Sequence, residues 1–212
     1  MRATFSFGIP AALRPGVAGT RRLLYGLFFL AGVAQAAIVP LLPRLSSTYG
    51  LSGAQTGLLL ALPGLATMAV SVPAGMAADR FGSRRVSLAA GLLLGVSCLL
   101  HGVPSLAALL LGRIGFGIAY GVVWTTAVSW LADLHSGAGS PRLGASTTFS
   151  SVGIMAGPAI GGLLAELAGV GLPFLLIGGT TFVLMAGLAL SGGGARRAPG
   201  SAPATSPRAL LG

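Results

Sequence analysis

Long apolar runs divide this chain, and the polar residues between them are mostly arginines and turn formers. Six runs stand at 23–42, 54–76, 86–103, 106–131, 144–165 and 171–190. A helix of about 20 residues is roughly 30 Å long, enough to cross the hydrocarbon core of a bilayer. Within lipid every backbone polar group needs a partner, so apolar runs of this length are helices. Transmembrane strands would alternate polar and apolar residues over about ten positions, and no such alternation is visible. The pattern predicts an all-α membrane protein, a six-transmembrane-helix bundle. The connections at 104–105 and 166–170 are so short that the helices they join should be antiparallel neighbours.

Composition agrees. Of 212 residues, 54% are hydrophobic and 8% charged, against about 25% charged in a soluble domain. The 13 basic residues are all arginine and face 3 acids, giving a formal charge of +10. They do not form a basic stripe interleaved with aromatics, so nucleic acid is not the expected partner. With the N-terminus inside, the inner face holds Arg2, Arg14, Arg21, Arg22, Arg80, Arg84, Arg85, Arg142, Arg196, Arg197 and Arg208, and the outer face only Arg44. This excess of inner arginine predicts that both termini are cytoplasmic and that the chain is a multi-pass protein of the cell membrane. The expected organisation is a cytoplasmic tail over 1–22, the bundle over 23–190, and a Gly/Ala/Pro/Ser-rich tail or inter-half linker over 191–212. Ala34-Gln35-Ala36 resembles a signal-peptide cleavage site. Yet the apolar run continues to Leu42 and five more follow, so an uncleaved first helix is the expectation.

Three motifs point to chemistry. The first is Gly75-Met-Ala-Ala-Asp79-Arg80-Phe-Gly82-Ser-Arg84-Arg85, between the second and third spans. Gly75 would let a neighbouring helix come close and Gly82 would permit a tight reversal. Asp79 lies where span two leaves the membrane, and Arg84 and Arg85 would anchor the loop at an anionic inner leaflet. This segment resembles the cytoplasmic loop signature of the major facilitator superfamily, G-x-x-x-D-[RK]-x-G-[RK]-[RK], with Ser83 departing from it. The resemblance implies a loop that gates the cytoplasmic side.

The second motif is Arg113 with Gly117, inside span four. A buried guanidinium is costly unless it faces a cavity or a partner, the other reading being an arginine that snorkels to the membrane edge. Its placement resembles the superfamily motif R-x-x-Q-G-x-G, with Phe116 and Ala119 replacing Gln and the second Gly, and implies a role in proton coupling. The third motif is Gly153, Gly157, Pro158, Gly161 and Gly162 in span five. Glycines four apart give a smooth stripe, and the added proline resembles the signature of the drug:proton antiporter branch.

The resemblance covers about 20–195, one six-span half of a family member, and implies a 3+3 inverted repeat with spans one to three related to four to six. A faint echo between Pro73-Ala-Gly75 and Pro158-Ala-Ile-Gly161 fits that relation. The implied function is secondary active transport, proton-linked efflux of small amphipathic or hydrophobic compounds. Gln35, Tyr120 and Trp124 would line the path, since 113, 117, 120 and 124 fall on one helical face. The expected partners are the bilayer, a small-molecule substrate, protons and a second six-span half. An importer of another small solute and a non-transporting six-span partner remain open alternatives. Catalysis is not expected, because no carboxylate pair is present and His101 and His135 lie near opposite faces. No cofactor or metal spacing is present, and Cys98 reads as a small apolar filler.

Overall fold

The computed structural model describes residues 15–134 and 140–191. Its elements are α1 (Pro15–Ala36), a 3₁₀ turn (Val39–Leu41), α2 (Leu42–Tyr49), α3 (Gly53–Phe81), α4 (Ser83–His101), α5 (Leu106–Asp133), α6 (Ser140–Ala168) and α7 (Leu172–Leu190). Among the described residues, six stretches are long and apolar enough to cross a membrane, α1 running on through α2 as the first of them. Arg2, Arg14, His135, Arg196, Arg197 and Arg208 lie outside the described residues, as does the side chain of Arg142.

The first helix begins at Pro15, well before the apolar run that marks it, so Arg21 and Arg22 sit within its early turns rather than ahead of it. Hydrocarbon thickness sets a minimum length for a spanning helix and no maximum, and its ends extend into the headgroup region where arginines stay solvated. α2 is a short polar helix between the first two spans, with Pro43 in its first turn and Leu45 buried. Ser52 starts α3 with a reciprocal cap: its hydroxyl accepts from the Gln55 amide and the Gln55 side chain accepts from the Ser52 amide, at 3.3 and 2.8 Å. Inside the bundle, Thr126 and Thr181 donate to the carbonyls four residues back at 2.8 and 2.7 Å, which keeps their hydroxyls paired away from water.

α1 packs along α6, α3 along α5, and α4 lies between α5 and α7. The pairing obeys the inverted repeat: the first and fifth spans are joined as the fourth and second are. α6 and α7, joined by a tight connection, are neighbours as expected, but each packs mainly elsewhere, α6 on α1 through its glycine face and α7 on α4. The turns at Gly102 and Gly171 touch at one end of the bundle. At the other end lie the α3–α4 reversal and Ser191.

Candidate functional site

The α3–α5 crossing is a contact of backbone against backbone. A Cβ on Gly117 would strike the Pro63 carbonyl, and would lie 2.6 Å from Pro63 Cα. One turn later Gly121 meets Thr67, whose hydroxyl donates to the Gly117 carbonyl at 2.8 Å. This closeness brings Arg113 onto α3. Its Nε donates to the Leu59 carbonyl at 3.1 Å and its Nη2 to the Leu60 carbonyl at 3.4 Å. At 1% exposure the side chain is inside the bundle and does not snorkel. Its charge has no acid to answer it there. Of the chain's 3 acids, Asp79 and Glu166 are exposed near helix ends and Asp133 closes α5.

The expected common face of α5 therefore divides by task. Arg113 and Gly117 turn to α3, whereas Trp124 packs on Phe28 of α1 with ring centroids 5.0 Å apart. Phe116, Tyr120 and Trp124 form a continuous aromatic row at 5.6 and 6.3 Å. Tyr120 and Trp124 are half-buried, as is Gln35 on α1. Trp124 thus packs within the bundle.

The glycine stripe of α6 meets α1 directly. A Cβ on Gly153 would strike the Phe29 carbonyl, one on Gly157 would lie 2.8 Å from the Val33 carbonyl, and one on Gly161 would strike the Ala37 carbonyl. Gly32 answers from α1 against the Ser150 carbonyl. Gly162 lies off the stripe, with Pro40 no nearer than 3.8 Å. Pro158 sits inside α6 and removes one amide from its ladder.

At the α3–α4 reversal Gly82 has φ 88°, a conformation that a Cβ would strain. Asp79 and Arg85 are exposed, and the Arg80 guanidinium lies 5.2 Å from the centre of the Phe81 ring. Two expectations change. Gly75 faces open space, so no described helix uses its smoothness; α5 meets α3 on another side. Arg84 does not reach outward to lipid headgroups. Its Nη2 donates to the Ala189 and Ser191 carbonyls at 2.9 and 3.1 Å, and its guanidinium lies 6.0 Å from the Trp130 ring. It thereby satisfies carbonyls that the C-terminus of α7 leaves without helical partners. His101 is buried at the far end of α4, its Nδ1 2.6 Å from the Ser97 carbonyl and its ring stacked on Phe174 at 4.9 Å, which makes it a packing residue.

Residues 24–210 match the family model of the Major Facilitator Superfamily. The chain belongs to that superfamily. Its six-helix bundle is thus one half-fold of a facilitator transporter. Among similar proteins are the quinolone resistance protein NorA of Staphylococcus aureus, 29% identical over 148 residues, and multidrug resistance protein 1 of Bacillus subtilis, 30% identical over 151. The matches take in 69% and 70% of this chain but 38% and 39% of those relatives. The chain therefore spans about two fifths of the length of the relatives it matches.

Of the facilitator-type motifs, the structure brings Arg113 and Gly117 together with α3, and the α6 glycines together with α1. It leaves Asp79 apart from both. Sequence reading missed Leu59 and Pro63 as partners of Arg113, Gly32 as the answer to the α6 stripe, and Phe28 as the end of the aromatic row. A proline at mid-span was the available signal for the first.

Proposed function

We propose that this chain is the N-terminal half of a proton-linked exporter of small amphipathic or hydrophobic compounds, working by alternating access with both termini in the cytoplasm. The observation that carries the reading is the half-buried row of Tyr120 and Trp124, with Trp124 against Phe28 of α1, beside an arginine held wholly inside the bundle. Flat aromatic faces bind apolar and cationic compounds without demanding a fixed hydrogen-bond pattern. The printed names of the similar proteins, a quinolone resistance protein and a multidrug resistance protein, agree with cargo of that kind.

The second six-span half would seat on α3 and α6. Their most apolar stretches are only 17% and 22% buried, against 39–56% in the other four spans. These two helices are equivalent under the inverted repeat, so one partner bundle can engage both. In that assembly Asp79 and Arg80 serve the cytoplasmic gate. Asp79 stands in the last turn of α3, where the helix dipole disfavours an acid. A partner across the gate would compensate that placement.

The test is efflux of a lipophilic fluorescent cation from vesicles holding the complete transporter, with a pH gradient imposed and then collapsed. Export should rise with the gradient and fall when it collapses. Export indifferent to the gradient would remove proton coupling from the reading.

A further inference from the structure

Pro63 has no amide hydrogen, so the carbonyl four residues earlier, that of Leu59, loses its partner in the α3 ladder. In a bilayer a bare carbonyl is expensive, and so is a guanidinium without acceptors. The two deficits meet. Arg113 Nε donates to Leu59, the very carbonyl that the proline frees, and Gly117 supplies the close approach that allows it.

The inverted repeat supplies an internal comparison. Gly117 against the Pro63 carbonyl corresponds to Gly32 against the Ser150 carbonyl, and Gly121 beside Val70 corresponds to Ala36 beside Gly157. In this register Arg113 corresponds to Phe28 and Pro63 to Ser150. Where the second helix keeps an amide, the first carries phenylalanine. Where it carries proline, the first carries arginine.

We infer that Pro63 and Arg113 act as one unit, in which Arg113 is a positioning residue that completes the hydrogen-bond ladder of α3, and Pro63 is what makes the arginine necessary. Any acid or substrate group that draws the guanidinium away uncovers the Leu59 carbonyl, so the state of α3 follows the engagement of Arg113. For its transport consequences the inference rests on the proposed exporter; for its stability consequences it does not.

The test compares Pro63→Ala, Arg113→Ala and the double variant with the parent, each in the complete transporter. Melting in detergent is read first, then efflux and its dependence on the pH gradient. Arg113→Ala should lower the melting midpoint, and the double variant should regain more than half of that loss, because Pro63→Ala returns an amide to the Leu59 carbonyl. The double variant's efflux should still respond less to the pH gradient than the parent's, because no guanidinium is left to be drawn from α3. Losses that add in the double variant would overturn the unit. So would a double variant whose efflux follows the pH gradient as the parent's does, since the state of α3 would then not depend on Arg113. Should Arg113→Ala fail to insert, Arg113→Lys keeps one donor, and Pro63→Ala should raise its midpoint likewise; an unchanged or lower midpoint would overturn the inference. A parent without gradient-linked efflux would sink the exporter reading and leave the melting comparison to judge the unit.

Discussion

The α1–α6 and α3–α5 seams are related by the inverted repeat and built from the same device, a glycine that lets one backbone rest on another. They differ in what fills the crossing. α1 meets α6 through Gly32, Gly153, Gly157 and Gly161, chiefly main chain against main chain, with the Ala36 methyl and the stacked Tyr25 and Phe149 rings as its apolar side-chain contacts. α3 meets α5 through Gly117 and Gly121, but Arg113 and Thr67 add polar bonds from side chain to main chain. Contact between smooth backbones is set by shape and admits one fit. A contact closed by hydrogen bonds has partners to exchange. On the proposed function, the first seam would be the fixed part of the bundle and the second the part able to respond to cargo.

The largest effect should come from spoiling the smooth seam. Gly157→Val places atoms against the Val33 carbonyl and the Ala36 methyl, each 2.8 Å from the first added carbon. Backbone cannot yield as a side chain can, so the cost should reach about 3 kcal/mol or more, seen as loss of folded chain from the membrane. A value near zero would mean that the two helices are free to part.

Ser150→Pro sharpens the comparison directly. It breaks the α6 ladder where Pro63 breaks that of α3, but opposite Phe28 instead of an arginine. A loss of about 3 kcal/mol is expected in melting experiments, although the same residue is native at the related position. Tolerance of Ser150→Pro would show that a proline at this register needs no donor from its neighbour.

Smaller effects belong to the ends. Arg84→Ala uncovers the last carbonyls of α7 and should cost about 1 kcal/mol, with faster exchange of amides near Ser191 as its local sign. Asp79→Asn should leave melting unchanged, since Asp79 is exposed, yet slow efflux by the complete transporter. Unaltered efflux would reduce the loop to a topological marker.

How much of this was legible in the sequence follows from the range of each signal. The six spans were, because hydropathy adds up over some twenty residues and one misplaced residue hardly matters. The α6 stripe was legible too, since glycines four apart need a partner only in the general sense that something must lie close. The extension of α1 to Pro15 and the short helix α2 were not, being polar turns outside the hydrocarbon where apolar length is silent. The role of Arg113 was half legible. Its burial cost flagged it, but its acceptor is a main-chain carbonyl, which carries no residue type to read. Arg84 misled for the opposite reason: a cluster of loop arginines suggests lipid, whereas the end of α7 comes within reach only once the bundle is folded.

The central claim, that cargo passes along the aromatic face of α5, is tested most directly by substrate protection. In the complete transporter with Cys98→Ala, Tyr120→Cys and Trp124→Cys are labelled with a small thiol reagent, with and without a lipophilic cation. Leu111→Cys, at a position 61% exposed on the outside of the bundle, serves as the reference. The account predicts that the cation slows labelling at 120 and 124 and leaves 111 unaffected. Equal labelling at all three positions with and without the cation would contradict it.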